Sequence, residues 1–159
     1  LITNPRDFPA FVKELHKHEF NYITGVNTLF AALLNTPGFE DLDFSHLRMA
    51  VGGGMAVQAA VSTAWHKTTG QHILQGYGLT ETSPIAIVTP ANQADFSGAI
   101  GLPVSSTDVM ICDSDGNALP IGEVGEICTK GPQGRNDAGL AGKIGTDGGG
   151  YADTANGEA

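Results

Sequence analysis

Ten residues near the middle of the chain, Gln75-Gly76-Tyr77-Gly78-Leu79-Thr80-Glu81-Thr82-Ser83-Pro84, concentrate groups able to handle a phosphate. Glycine lets a backbone approach a ligand closely or adopt positive φ. The Tyr77 ring offers a flat face for stacking. The Thr80 hydroxyl can donate to a phosphate oxygen, and Glu81 is a hard oxygen ligand of the kind Mg2+ takes. The string follows a short apolar run, Ile73-Leu74, so these groups sit on a turn leaving a strand. Together they describe a nucleotide-phosphate site. A glycine-rich turn with a solvated glutamate is the alternative reading of the same residues.

The elements around the string determine whether it is positioned as a site. Asp7 is an N-cap with Pro9 early in a helix, and Phe8, Phe11, Val12 and Leu15 recur at helical spacing. Tyr22-Ile23-Thr24 reads as a buried strand ended by Gly25. Leu29, Phe30, Leu33 and Leu34 mark a second helix that stops before Pro37. Leu47 to Val51 is a strand running into Gly52-Gly53-Gly54. A third helix follows, with Val57, Ala60, Val61, Ala64 and Trp65 expected on one face and Gly70 at its end. Strand, helix, strand, helix, strand is the pattern of an α/β fold, a partial parallel sheet with covering helices. Ligands bind at the carboxyl ends of such strands, where both glycine-rich segments fall.

Beyond Pro84 the pattern changes. Ile85 to Val88 reads as a strand. Val109 to Cys112 and Val124 to Cys128 flank an Asp-Gly turn at Asp115-Gly116, as two antiparallel strands of a β-rich subdomain. Asp113 and Asp115 are too few for a calcium loop and suit turn chemistry. His66 and His72 lack a carboxylate partner in sequence and read as surface or supporting residues. Cys112 and Cys128 read as buried thiols of a protein in a reducing cytoplasm. Residues 134–159 are glycine-rich, with only Leu140, Ile144 and Tyr151 large and apolar, so the tail is expected to be disordered or loosely attached.

The totals exclude some classes. With 17 acidic against eight Lys and Arg residues the net charge is −9, so no basic face for nucleic acid is available. Bound polyphosphate then needs a metal ion, backbone N–H groups or cations from elsewhere. No apolar run approaches the roughly 20 residues of a membrane span. The chain starts at Leu1 with no signal-peptide pattern, and is expected to be a fragment whose natural start lies upstream.

Gly76-Tyr77-Gly78-Leu79-Thr80-Glu81 resembles a core motif of the AMP-forming adenylate ligases, which include acyl-CoA synthetases, luciferases and peptide-synthetase adenylation domains. Leu1 to Asp7, Thr24 to Phe30, Gly52-Gly53-Gly54-Met55, Ile100 to Val104 and Gly125 to Pro132 are similar to segments of bacterial long-chain fatty acid–CoA ligases, in family order. The resemblance covers roughly residues 1–133, the later part of the family's large N-terminal domain. It implies a truncated acyl-CoA synthetase N-terminal domain with an off-family tail at 134–159. It also implies two steps: a fatty carboxylate attacks the α-phosphate of ATP to give acyl-AMP, and coenzyme A then takes the acyl group and releases AMP.

Residue by residue, the resemblance makes Thr80 a phosphate contact and Glu81 the Mg2+ ligand, both catalytic. Tyr77 is implied to stack on adenine, with Gly53, Gly54, Gln75, Gly76 and Gly78 around the nucleotide. Val26, Thr28 and Met55 are implied to line the acyl pocket. Ordinary core packing is the alternative for Val26 and Met55, and a tight turn for Gly53. The expected partners are fatty acid, ATP and coenzyme A. The expected location is the cytoplasm, with a peripheral position at the inner face of the cell membrane and a homodimeric parent left open.

The departures from the family bear on activity. The phosphate loop with its Lys, the Thr-Gly-Asp motif that holds the ribose and the mobile C-terminal domain are absent. Thr146-Asp147 and Asp153-Thr154 do not restore the ribose motif. The hydrophobic pattern stops at Gly134, as a reading-frame change or chimeric gene end would leave it. The isolated piece is therefore expected to be inactive. An adenylating ligase for another carboxylic acid, or a non-catalytic nucleotide-binding remnant, are the alternative readings.

Overall fold

The computed structural model describes residues 4–82, 84–92, 96–132 and 142–144, with the backbone alone described for Glu81 and for 142–144. The chain divides into two compact units, one of Leu1–Tyr77 with Val88–Leu102, the other of Gly78–Ile87 with Pro103–Ala159.

The first unit is built on three parallel strands: β1 (Tyr22–Gly25), β2 (Met49–Gly52) and β3 (Ile73–Tyr77). Its sheet continues in this unit through Val88 of β4 (Ile87–Val88) and Leu102 of β5 (Leu102–Pro103), in the order β1-β2-β3-β4-β5. Helix α1 (Phe8–Leu15) starts where expected: Asp7 caps it by accepting from Ala10 N at 3.1 Å, with proline in the first turn. Helices α2 (Asn27–Leu34) and α3 (Ala59–Thr69) make the crossovers, and Gly70 ends α3 at φ 75°. Ile23, Ala50 and Ile73 pair in one buried row across the strands, and Phe11, Val12, Phe30, Leu33, Phe39 and Trp65 complete the core.

Helix α3 is turned from its expected orientation. Its buried stripe is Ser62, Trp65 and Thr69, with Val61 half-buried and Ala60 and Ala64 exposed. The cause is Trp65, fully buried with ring centroids 4.8 Å from Phe30 and 5.4 Å from Phe39. Seating the indole there brings the positions three before and four after it inward. Ser62 is small enough to fit, and the Thr69 hydroxyl donates to Trp65 O at 2.9 Å.

The second unit carries β6 (Asp108–Cys112), β7 (Glu126–Lys130) and β8 (Gly142–Ile144), all antiparallel in the order β6-β7-β8. β7 begins two residues later than its apolar pattern suggests. Gly125 lies against β6, where a Cβ would be 2.4 Å from Cys112 O, so Val124 and Gly125 belong to the approach rather than the strand. Cys112 and Cys128 are both buried. The tail expected to be disordered or loosely attached supplies β8, since pairing along β7 needs main-chain groups and no apolar side chain; its other residues lie outside those described. Among the described residues no helix is long and apolar enough to cross a membrane.

Truncating the indole tests this packing. Trp65→Ala should destabilise the protein by about 3–5 kcal/mol through the lost contacts and cavity, measured by urea unfolding followed by circular dichroism. A change within about 0.5 kcal/mol, the range of ordinary surface substitutions, would contradict it.

Candidate functional site

In the first unit the three parallel strands end in step. Gly25, Gly52 and Gln75 face one another in register. The residues that follow them therefore share the carboxyl edge of the sheet, where α/β folds bind ligands. On that edge the sequence placed Val26 and Thr28, then Gly53, Gly54 and Met55, then Gly76 and Tyr77. Gly53 N donates to Gly25 O at 3.0 Å, and a Cβ on Gly53 would lie 3.3 Å from Gly76 O. Gly54 adopts φ +75°, and a Cβ there would meet Val26 Cγ1 at 3.4 Å. The structure thus brings Val26, Gly53, Gly54 and Gly76 together. Val26 and Met55 are 41% and 51% exposed. Thr28 is also exposed, and Tyr77 is half-buried.

Glycine at the strand ends has a packing cause. A Cβ at Gly25 would come within 2.5 Å of Leu29 Cδ2, and one at Gly52 within 2.5 Å of Val57 Cγ2. The chain entering α2 and α3 presses directly onto the sheet at these points.

Two buried amide side chains hold the segment between the glycine loop and α3. Gln75 Oε1 accepts from Val57 N at 3.2 Å, and its Nε2 donates to Ala99 O at 3.0 Å. Asn27 Oδ1 accepts from Gln58 N at 2.9 Å. Thr89, just past β4, brackets Gln75: Gln75 N donates to Thr89 Oγ1 at 3.0 Å, and Thr89 N donates to Gln75 O at 2.8 Å. Gln75 was expected around the nucleotide. Its amide bonds within the protein, to Val57 N and Ala99 O, and so ties the end of β3 to the segment before α3. Asn27, Gln58 and Thr89 carried no sequence assignment; a buried Asn at the start of an apolar helix was the available signal.

The second unit holds the rest of the motif. A one-turn 3-10 helix, Thr80–Thr82, follows Gly78 and Leu79. Thr80 is exposed, whereas Thr82 is 7% exposed. The Thr82 hydroxyl accepts from Leu79 N at 2.8 Å and lies 3.0 Å from both Leu79 O and Pro84 O. Pro84 folds back over Gly78, where a Cβ would fall 1.9 Å from Pro84 O, so no other residue fits at 78. The sequence alone gives Thr82 no role beyond its place in the motif string.

Other candidates do not form sites. His66 and His72 stack face to face, ring centroids 3.8 Å apart, away from the carboxyl edge at the end of α3 and the approach to β3. The Asp113 carboxylate accepts from Asn117 Nδ2 and from the Asn117 and Asp115 main-chain N–H groups. Those bonds, Asn117's first, hold its pKa below the ordinary carboxylate value. Among the described residues no three His, Cys, Asp or Glu side chains gather as a metal cage.

Comparison with known proteins gives this geometry a context. The model of a family described as AMP-binding enzyme matches residues 1–135. A long-chain-fatty-acid–CoA ligase of Yersinia pestis is 57% identical over 133 residues, covering 84% of this chain and 24% of the relative. A Haemophilus influenzae protein of the same name is 54% identical over 133 residues, with the same coverage of 84% and 24%. The chain thus spans about a quarter of the length of the curated relatives it matches. The crystal structure of the anthranilate CoA ligase AuaEII in complex with anthranoyl-AMP superposes with a TM-score of 0.79 at 25% identity, over 95% of this chain and 32% of that one.

The amide clamp yields a test. Gln75→Leu keeps the side-chain volume but removes the acceptor of the buried Val57 N–H, while water can reach the exposed Ala99 carbonyl. It should destabilise the protein by about 1–3 kcal/mol, the cost of one buried polar group left unpaired. It should also speed hydrogen exchange at the Val57 amide. Wild-type stability and exchange in this variant would remove the clamp's role.

Proposed function

The chain belongs to the AMP-binding enzyme family, and on that premise we propose that it is the nucleotide-holding and acyl-holding part of a long-chain fatty acid–CoA ligase. The observation that carries the acid class is the identity shared with the Yersinia pestis ligase. The carboxyl-edge arrangement supports the division of labour within it.

The overall reaction is activation followed by transfer. A fatty carboxylate oxygen attacks the α-phosphorus of ATP, the bond to pyrophosphate breaks, and acyl-AMP forms. The sulfur of coenzyme A, giving up its proton, then attacks the acyl carbon, and AMP leaves. The first step is in-line displacement at phosphorus, where positioning and charge neutralisation do most of the work. No nucleophilic Ser or Cys is needed, because AMP is itself the leaving group.

The chain's own residues serve binding and orientation. Gly53, Gly54 and Gly76 let main chain approach the nucleotide, and the Tyr77 ring supplies a stacking face for adenine. The exposed Thr80 hydroxyl donates to a phosphate oxygen. Glu81 would hold Mg2+, which when bound neutralises phosphate charge. Val26, Met55 and Thr28 face the acyl chain; exposed aliphatic groups beside a glycine edge suit an apolar substrate better than a polar one. The parent is placed in the cytoplasm, with a peripheral position at the membrane where its substrate partitions.

A second reading keeps the adenylation and changes the acid. It is favoured by the likeness to AuaEII, an anthranilate CoA ligase. A panel of palmitate, short-chain and aryl acids offered to the full-length protein separates the two.

The full-length protein should convert palmitate, ATP and coenzyme A to palmitoyl-CoA and AMP. Glu81→Ala combined with Tyr77→Ala should lower that rate at least about 100-fold, the scale of removing one electrostatic stabiliser. Unchanged adenylate yield in the double variant would refute the assignment. The 159-residue chain alone should release no detectable pyrophosphate; robust turnover by it would show that the chain already suffices for catalysis.

A further inference from the structure

We infer that Thr82 is a positioning residue for the phosphoryl chemistry: its buried hydroxyl closes the loop from Gly78 to Pro84 and thereby fixes where the main chain presents Thr80 and Glu81. The inference rests on the adenylation reading for what the loop does, and on hydrogen-bond geometry for how the loop is held.

A threonine hydroxyl has one proton to donate and two lone pairs with which to accept. Leu79 N–H donates to Thr82 Oγ1 at 2.8 Å, so one lone pair is engaged. Two carbonyls compete for the proton, Leu79 O and Pro84 O, each 3.0 Å away. Leu79 O also accepts from Thr82 N at 3.0 Å, and Pro84 O lies within the same reach of the hydroxyl, so this one oxygen contacts main chain on both sides of the turn. The hydroxyl then joins an N–H just before the 3-10 turn to a C=O just after it. Thr80 and Glu81 lie between those two anchors.

The neighbouring residues are consistent with a closed loop. Gly78 has no room for a side chain because Pro84 O occupies it. Thr82 is buried while Thr80, two residues earlier, is exposed. One threonine is therefore turned inward to hold the loop, and the other outward to where a phosphate can meet it. Thr82 touches no substrate in this scheme and acts only through its neighbours. A misplacement of about 1 Å in such a loop can cost on the order of 100-fold in rate.

The test compares Thr82→Val, which keeps the shape and removes the hydroxyl, with Thr82→Ser, which keeps the hydroxyl. ATP–pyrophosphate exchange driven by palmitate is measured in the full-length protein. Thr82→Val should lower kcat by about 30–100-fold and raise the Mg2+ concentration needed for half-maximal rate, with KM for palmitate within about twofold. Thr82→Ser should stay within about threefold of wild type on all three measures. Wild-type exchange and Mg2+ requirement in Thr82→Val overturn the inference, as does a Ser variant as impaired as Val. Hydrogen exchange at the Leu79 amide of the wild-type protein gives a readout that no misfolded variant can obscure. Protection there is expected, and exchange at the rate of an open amide overturns the closure. A wild-type protein silent in pyrophosphate exchange overturns the adenylation reading instead, and the Leu79 amide still decides whether the loop is closed.

Discussion

The row Gly25–Gly52–Gln75 is the constraint on which the first unit depends. It lies two residues beyond the apolar row Ile23–Ala50–Ile73, on the same face of the sheet. The first two positions carry no side chain, so Leu29 and Val57 descend onto the backbone. The third carries a long amide, which reaches Val57 N and Ala99 O. Close packing and polar satisfaction thus meet along one line. They fix the path of the loops that leave the strands, and those loops carry the residues assigned to the nucleotide and the acid.

Two different devices hold the motif. Before Gly78 it is held by the sheet, through main-chain pairing and the Gln75 amide. After Gly78 it is held by its own turn, through one threonine hydroxyl and a glycine that admits Pro84. The chemistry assigned to each part suits its support. A stacking ring benefits from a rigid strand end, whereas a phosphate contact and a metal ligand need a short loop of defined curvature. Preorganised donors of this kind act without reorganising during the reaction.

Much of the fold was legible from local pattern. The Asp7 cap, the early Pro9, the glycine ending α3 and the strand-helix alternation each depend on neighbours a few residues away. The carboxyl-edge position of Gly53, Gly54, Gly76 and Tyr77 followed from that alternation. What local pattern could not reveal depends on partners far apart in sequence. Asn27 reaches Gln58 across 31 positions and Gln75 reaches Val57 across 18, so neither clamp leaves a periodic trace. The face of α3 was misjudged for the same reason. Apolar spacing favoured Ala60 and Ala64, but the seat for Trp65 is made by Phe30 and Phe39 from other segments. Thr82 was hidden differently: beside Thr80 it looks equivalent, and only its burial separates a structural hydroxyl from an exposed one.

Trp65 is the only tryptophan in the chain. It is fully buried, against Phe30 and Phe39 of the first unit, and its indole Nε1 has no hydrogen-bond partner among the described residues. An indole shut away from water and unbonded at nitrogen emits at shorter wavelength than a hydrated one. The protein therefore carries an intrinsic optical reporter on one of its two units. Its fluorescence follows the melting of the core that Phe30 and Phe39 build around it.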